Sequence, residues 1–254
     1  MEYALIFLCA CFASLLTFYS GFGLGTVLMP IIALFFPLPA AIALTALAHL
    51  FHNTLKICFL WKSVVWEIVI RFGVPALLAA SLGAFLLKEL SFLEPIYIYS
   101  VLGVQGEISI LHLSIGLLLI LFATLESFSG KLGEIKNPFL GGALSGFFGG
   151  FSGNQGAFRS AFLIQMGLSK EAFIATGGMI GITIDFVRLT VYGFNFKIFF
   201  ENFDPFLLFT ALGGAFFGVC LGMILLPKTT FRLIQKIVLI LLYFFGVLLA
   251  SGLI

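Results

Sequence analysis

The sequence predicts an all-α polytopic membrane protein of two inverted repeats, each a broken or re-entrant Gly-rich helical hairpin followed by three transmembrane helices. Three observations carry this. First, 61% of the 254 residues are hydrophobic and only 9% are charged, against about 25% charged in a soluble domain. Several apolar stretches reach the ~20 residues that a spanning helix needs. Second, glycine breaks and prolines recur at a nearly constant offset, the usual mark of a two-halved transporter. Third, Lys and Arg gather on one side only when each glycine break is folded into a hairpin.

The elements follow in order. Residues 3–20 are apolar and break at Gly21-Phe22-Gly23-Leu24-Gly25. A second apolar piece runs over 26–36 until Pro37 and Pro39 end it. Residues 38–61 read as a long helix, with Trp61, Lys62 and Trp66 as interfacial anchors. The next helix covers 68–87, with Pro75 in its first half, and Lys88, Glu89 and Glu94 close it. Residues 95–107 are mixed and read as interfacial, and a helix follows over 108–125. A polar connection with Glu126, Lys131, Glu134 and Lys136 ends the first repeat, so the chain divides into 1–126, a loop 127–137, and a second repeat 138–254. There, residues 138–148 are apolar. The five glycines between Gly146 and Gly156 read as poor helix, so the break is placed at 149–156. A helical piece covers 157–167, and longer helices cover 170–193, Pro205 to Leu226, and the stretch ending near Ser251.

A shift of 131 residues pairs Gly25 with Gly156, Ala41 with Ala172 and Thr45 with Thr176. A shift of 130 pairs Pro75 with Pro205 and Gly83 with Gly213. If each first segment crossed the membrane once, Lys and Arg would divide evenly between the two sides. If each is a hairpin that leaves where it entered, one side holds Lys62, Arg71, Lys131, Lys136, Lys170, Lys228, Arg232 and Lys236, and the other holds Lys88 and Lys197. The second arrangement obeys the positive-inside bias. It inverts the repeats, puts both termini outside the cytoplasm, and brings the two glycine tips together near the midplane.

A net charge of +2 gives no footprint for nucleic acid. Cys9, Cys11, Cys58 and Cys220 lie in apolar runs without a CxxC pair and read as packing residues. The start Met-Glu-Tyr lacks the basic region of a cleaved signal peptide. The expected location is a cell membrane, of the bacterial inner-membrane type. No cofactor or metal is called for. The expected partners are a small anion and the lipid bilayer, with the oligomeric state left open.

Ionisable side chains inside a bilayer are functional candidates because their insertion is costly. His49, His52, Asn53 and Lys56 fall on one helical face by their spacing of three and four. Asp185 and Arg188, at i,i+3, can pair. The stretch Gly149 to Phe162 carries Ser152, Asn154, Gln155, Gly156, Arg159 and Ser160 where a helix begins, and a helix start already favours anions. The expected substrate-binding residues are therefore Ser152, Asn154, Gln155, Gly156, Arg159, Asn53 and Thr176. His49, His52 and Asp185 are candidates for proton coupling, with Arg188 and Lys56 as supporting charges. Hydrogen-bonded helix contacts for the histidines, and a snorkelling Lys56, are the plainer alternatives. Gly214, Gly218 and Gly222 form a stripe for close helix packing.

An intramembrane serine protease is a competing reading, since Gly150-Phe-Ser-Gly153 fits a G-x-S-G pattern. All three histidines precede Ser152, the reverse of the rhomboid order, and hairpin glycines explain the same letters. An anion channel of the same fold is the other alternative. The expectation is a secondary transporter and not an enzyme.

The two copies of a Gly-rich break and an apolar piece are followed by Leu168-Ser-Lys-Glu-Ala-Phe-Ile-Ala-Thr176 in one half and Pro37-Leu-Pro-Ala-Ala-Ile-Ala-Leu-Thr45 in the other. In this the chain resembles the sulfite exporter TauE/SafE family of membrane permeases over nearly its whole length. The resemblance implies export of sulfite, sulfonates or related sulfur-containing anions without ATP. The chain departs from many members at Ser152 to Gly156 and at Arg159.

Overall fold

The structure is a computed structural model and describes residues 2–20, 24–101, 103–127, 137–193, 205–225 and 231–254. Among them are ten α-helices and one short hairpin. In chain order the helices are α1 (Glu2–Ser20), α2 (Leu24–Ala33), α3 (Leu38–Leu60), α4 (Trp66–Ser91), α5 (Ile110–Ser127), α6 (Pro138–Ser152), α7 (Gly156–Ile164), α8 (Lys170–Gly193), α9 (Pro205–Leu225) and α10 (Phe231–Ala250). Strands β1 (Tyr97–Val101) and β2 (Val104–Ile108) pair antiparallel between α4 and α5. Gly21 to Gly23, Lys131, Lys136, Lys197 and Lys228 lie outside the described residues.

Among the described residues, four helices are long and apolar enough to cross a membrane by length and composition: Leu38–Ser63, Trp66–Ser91, Lys170–Gly193 and Pro205–Gly222. Large apolar side chains point outward, including Leu82 on α4, Phe186 on α8, Phe209 on α9 and Ile240 on α10. The charged side chains of Lys56, Arg159, Asp185 and Arg188 lie buried between the helices. That inside-out distribution suits lipid, not water, as the solvent. Trp61 and Trp66 are exposed at the end of α3 and the start of α4, and Lys62 Nζ lies 5.9 Å from the Trp61 ring centroid.

Small residues set the helix packing. Gly142, Gly146 and Gly150 of α6 sit on the backbone carbonyls of Phe72, Ala76 and Ala80 of α4, one helical turn apart each time. The two helices therefore run in the same direction at backbone contact. The predicted stripe on α9 does the same: Gly214 and Gly218 meet the carbonyls of Phe7 and Cys11 on α1, again codirectional. By contrast α3 and α8 are antiparallel, with His49 beside Asp185 and Asn53 beside Gly181. So are α5 and α10, with Gly116 beside Ala250 and Thr124 beside Tyr243. Exchanging α1–α5 for α6–α10 maps this set of contacts onto itself.

The glycine break is shorter than the sequence implies. Helix α6 continues through Gly149 and Gly150 to Ser152, and only Gly153 to Gln155 interrupts it. Glycines 142, 146 and 150 lie on one face, and the close approach of α4 offsets their poor helix propensity. Gly153 ends α6 with φ 78°, a left-handed conformation that favours glycine. Its amide donates to the Gly149 carbonyl. The chain then folds back. Phe158 of α7 stacks on Phe148 of α6 at 5.3 Å, Ser145 Oγ donates to the Gln155 carbonyl at 2.8 Å, and Gly141 faces the Phe162 ring. Helices α6 and α7 are thus an antiparallel hairpin. Its tip meets the other glycine-rich segment: a Cβ on Gly25 would lie 2.7 Å from the Gly153 carbonyl oxygen.

The segment read as mixed and interfacial is the β-hairpin. Period-two alternation in Tyr97-Ile-Tyr-Ser is visible there once a strand is sought. The hairpin holds the last residues of the chain. Glu107 N–H donates to the Gly252 carbonyl at 2.9 Å, and Tyr99 O–H donates to the Ser251 carbonyl at 2.6 Å.

Candidate functional site

Between them, α3, α7 and α8 line a small cavity of about 10 Å³, roughly the space that one water-sized group needs. Asn53, Lys56, Arg159 and Ser160 form its polar wall, and Leu163, Phe173 and Ile174 its apolar wall. Gly177 and Gly178 complete it. The stripe of small residues on α8 provides the room. A Cβ on Gly181 would lie 2.6 Å from Asn53 Nδ2 and 2.8 Å from Arg159 Nη1, and one on Gly177 3.6 Å from Arg159 Nε. Lys56 is 3% exposed and Arg159 2%, so neither snorkels.

Beside the cavity lies a network centred on Asp185. Its Oδ2 is 2.5 Å from His49 Nδ1. Its Oδ1 accepts from Gln155 Nε2 at 2.9 Å and lies 2.9 and 2.8 Å from Arg188 Nε and Nη2. An ionised carboxylate only accepts, so His49 carries its proton on Nδ1. The amides of Asn53 and Gln155, 3.1 and 3.2 Å from that nitrogen, are then neighbours of His49 and not its donors. Gln155 also accepts from Arg159 Nη1 at 3.3 Å and so joins the network to the cavity.

Helix α8 grips the hairpin tip. Arg188 Nη1 donates to the Gly149 carbonyl at 3.4 Å, and Tyr192 O–H donates to the Gly150 carbonyl. These bonds satisfy carbonyls near the end of α6, where positive charge suits the helix dipole. The predicted pairing of Asp185 with Arg188 is present, and its role extends to holding the tip.

The structure divides the sequence candidates. Asn53, Lys56 and Arg159 line the cavity, and His49, Gln155, Asp185 and Arg188 form the adjoining network. Ser152 and Asn154 are buried at the tip, where Ser152 donates to the Phe148 carbonyl and accepts from Asn154. Gly156 begins α7, but the cavity opens one turn further along, at Arg159 and Ser160. Thr176 accepts the Val65 amide at 3.0 Å, which fixes the turn into α4. His52 bonds Ser14 on another side of α3. The hydrogen bonds of His49 and His52 go to Asp185 and Ser14, not to Ser152. Sequence reasoning did not single out Leu163, Phe173, Ile174 and Tyr192. A residue-by-residue search for polar groups passes over an apolar cavity wall. The run Gly177-Gly178 with Gly181, opposite Asn53, is the signal that could have located it.

Among the described residues, the buried charged side chains are three cations, Lys56, Arg159 and Arg188, and one anion, Asp185. Two cations and two neutral polar groups around one cavity can hold an anion. The sulfite exporter TauE/SafE family model matches residues 6–249, and the chain belongs to that family. That family is one of membrane permeases of the sulfite-exporter type. No curated protein and no solved structure gave a match.

Proposed function

We propose that the protein is a secondary transporter, an exporter of a small sulfur-containing oxyanion such as sulfite or an organosulfonate, working by alternating access around two hairpin tips. The observation that carries this reading is the cavity where Lys56, Arg159, Asn53 and Ser160 converge with no carboxylate among its lining residues. Two cations and two neutral polar groups in a site of low dielectric suit a compact anion with several oxygens.

The helix directions support inverted repeats. Helices α3 and α4 are consecutive spans and run oppositely. Helix α6 runs with α4, and α8 runs against α3. Hence α6 and α8 point the same way, and α7 must return between them as the second arm of a re-entrant hairpin. Corresponding helices, α3 with α8 and α5 with α10, are antiparallel, as inversion requires. The bond from Glu107 to Gly252 also agrees. A hairpin plus three spans per repeat puts the β-hairpin and the C-terminus on one face, whereas eight single crossings would put them on opposite faces. With the positive-inside bias, that face and both termini lie outside the cytoplasm. Cysteines at positions 2 and 252 should then react with an impermeant reagent from outside only.

The transport reading is tested in proteoliposomes. Arg159→Ala should abolish saturable sulfite flux while the protein stays monodisperse. Flux like that of the wild type would reject the role of Arg159. Unsaturable ohmic current in the wild type would make the protein a channel instead.

A further inference from the structure

His52 has no exposed surface. Its Nδ1 lies 2.6 Å from Ser14 Oγ, and the same oxygen lies 2.7 Å from the Ala215 carbonyl on α9. A carbonyl oxygen only accepts, so the single hydroxyl proton of Ser14 goes to Ala215. Ser14 must then receive its other bond from the imidazole, and Nδ1 carries the ring proton. Nε2 is left as a bare lone pair, fully buried, with no hydrogen-bond partner among the described residues. Buried acceptors in this state are rare and unfavourable. A small donor that can reach such a nitrogen is a proton.

The surroundings tie that proton to the anion. The charged groups that act on His52 are Lys56, one turn along α3, then His49, and then Arg159 of α7. Asp185 and Arg188 of α8 stand behind His49. On α1 the group that meets His52 is Ser14, and the charged residue of that helix, Glu2, lies twelve positions away, about 18 Å along the axis; among their described residues α2 and α9 carry no charged residue. Lys56 and Arg159 oppose a further positive charge on His52. An oxyanion seated between them reverses that opposition. The His49–Asp185 pair is less suited to the task, because Gln155 and Arg188 already hold its carboxylate as a fixed ion pair.

We infer that His52 is the proton site of the transporter, distinct from the His49–Asp185 pair: binding of the oxyanion draws one proton from water onto His52 Nε2. This rests on the anion-transport reading above. The step breaks one O–H bond of hydronium, which leaves as neutral water, and makes one N–H bond and an imidazolium, whose added charge the anion balances. By linkage, the proton and the anion strengthen each other's binding by the same factor.

The test measures protons taken up per sulfite bound, by titration calorimetry of the purified protein in buffers of different ionisation heat. His52→Gln keeps a polar side chain near Ser14 but cannot titrate. Wild type should take up about one proton more per anion than H52Q. The ligand's own titration cancels in that difference. Equal proton counts in the two proteins overturn the assignment of His52 and leave the transport reading standing. A wild type that binds no sulfite overturns both. If H52Q is not monodisperse, Ser14→Ala replaces it. That variant keeps the imidazole but frees Nδ1, so the pH midpoint of proton uptake should shift from that of wild type. An unmoved midpoint overturns the proposal.

Discussion

Gly181→Ala is the sharpest test of the cavity, because it adds one methyl group and removes nothing. The new Cβ would stand 2.6 Å from Asn53 Nδ2 and 2.8 Å from Arg159 Nη1. Ordinary contact begins near 3.4 Å, so the amide must retreat by about 0.8 Å and the guanidinium by about 0.6 Å. Both groups are the far ends of flexible side chains, so the backbone need not move. Displacement on that scale breaks at least one hydrogen bond to a bound anion. A bond of this charge-assisted kind contributes ~1.5–3 kcal/mol, which converts to about tenfold to a hundredfold in affinity. Stability should move the other way, since Ala is better than Gly inside a helix by ~0.8–1 kcal/mol. The assay pairs sulfite flux in proteoliposomes with thermal unfolding in detergent. Transport should weaken at least tenfold with a melting temperature equal to or above that of wild type. Unchanged transport would show that Asn53 and Arg159 do not hold the anion. A collapse in melting temperature would show that the space beside Gly181 is structural.

Three further outcomes follow from the packing. Gly146→Ala should destabilise by ~1–3 kcal/mol, because its Cβ meets the Ala76 carbonyl and Cα, which are backbone and cannot yield without parting α4 from α6; a melting temperature at or above wild type refutes this. Asp185→Asn should cost ~3–5 kcal/mol, since it strips the anion from a buried pair and leaves Arg188 without its carboxylate; unfolding that matches wild type in detergent would refute it. Tyr99→Phe should leave transport intact and loosen the chain end by ~0.5–1.5 kcal/mol through loss of the bond to Ser251, read as faster amide exchange at residues 251–254. Unchanged exchange would count against that tie.

The membrane class and most helix bounds were legible because composition and proline punctuation act locally. The helix read as 38–61 is Leu38–Leu60, and that read as 170–193 is Lys170–Gly193. The stretch 149–156 was misread for a physical reason. Glycine is a poor helix former in isolation, but at every fourth position it lets another backbone approach, and the partner of α6 is a helix about seventy residues earlier. The Asp185–Arg188 pair was readable from i,i+3 spacing. The contact of His49 with Asp185, 136 residues apart, was not, since no local pattern specifies which buried faces meet. Ser14 gave no sequence signal at all, because a serine in an apolar helix is common and only Ala215 and His52 give it a partner.

The exchanged packing of the halves has a consequence for biosynthesis. Helix α4 keeps its tightest contact for α6, and α1 keeps its own for α9. When the ribosome has delivered α1 through α5, the faces of α4 and α1 that will receive the glycines of α6 and α9 are in the bilayer with lipid in place of their partners. Lipid is a tolerable stand-in for an apolar face, but not for Lys56 and His49 on α3, whose neighbours Arg159 and Asp185 have yet to be made. The first half is thus an incomplete product that quality control can recognise, and final assembly waits until α9 slides in beside α1. A chain cut between α5 and α6 should accumulate only when both pieces are synthesised together.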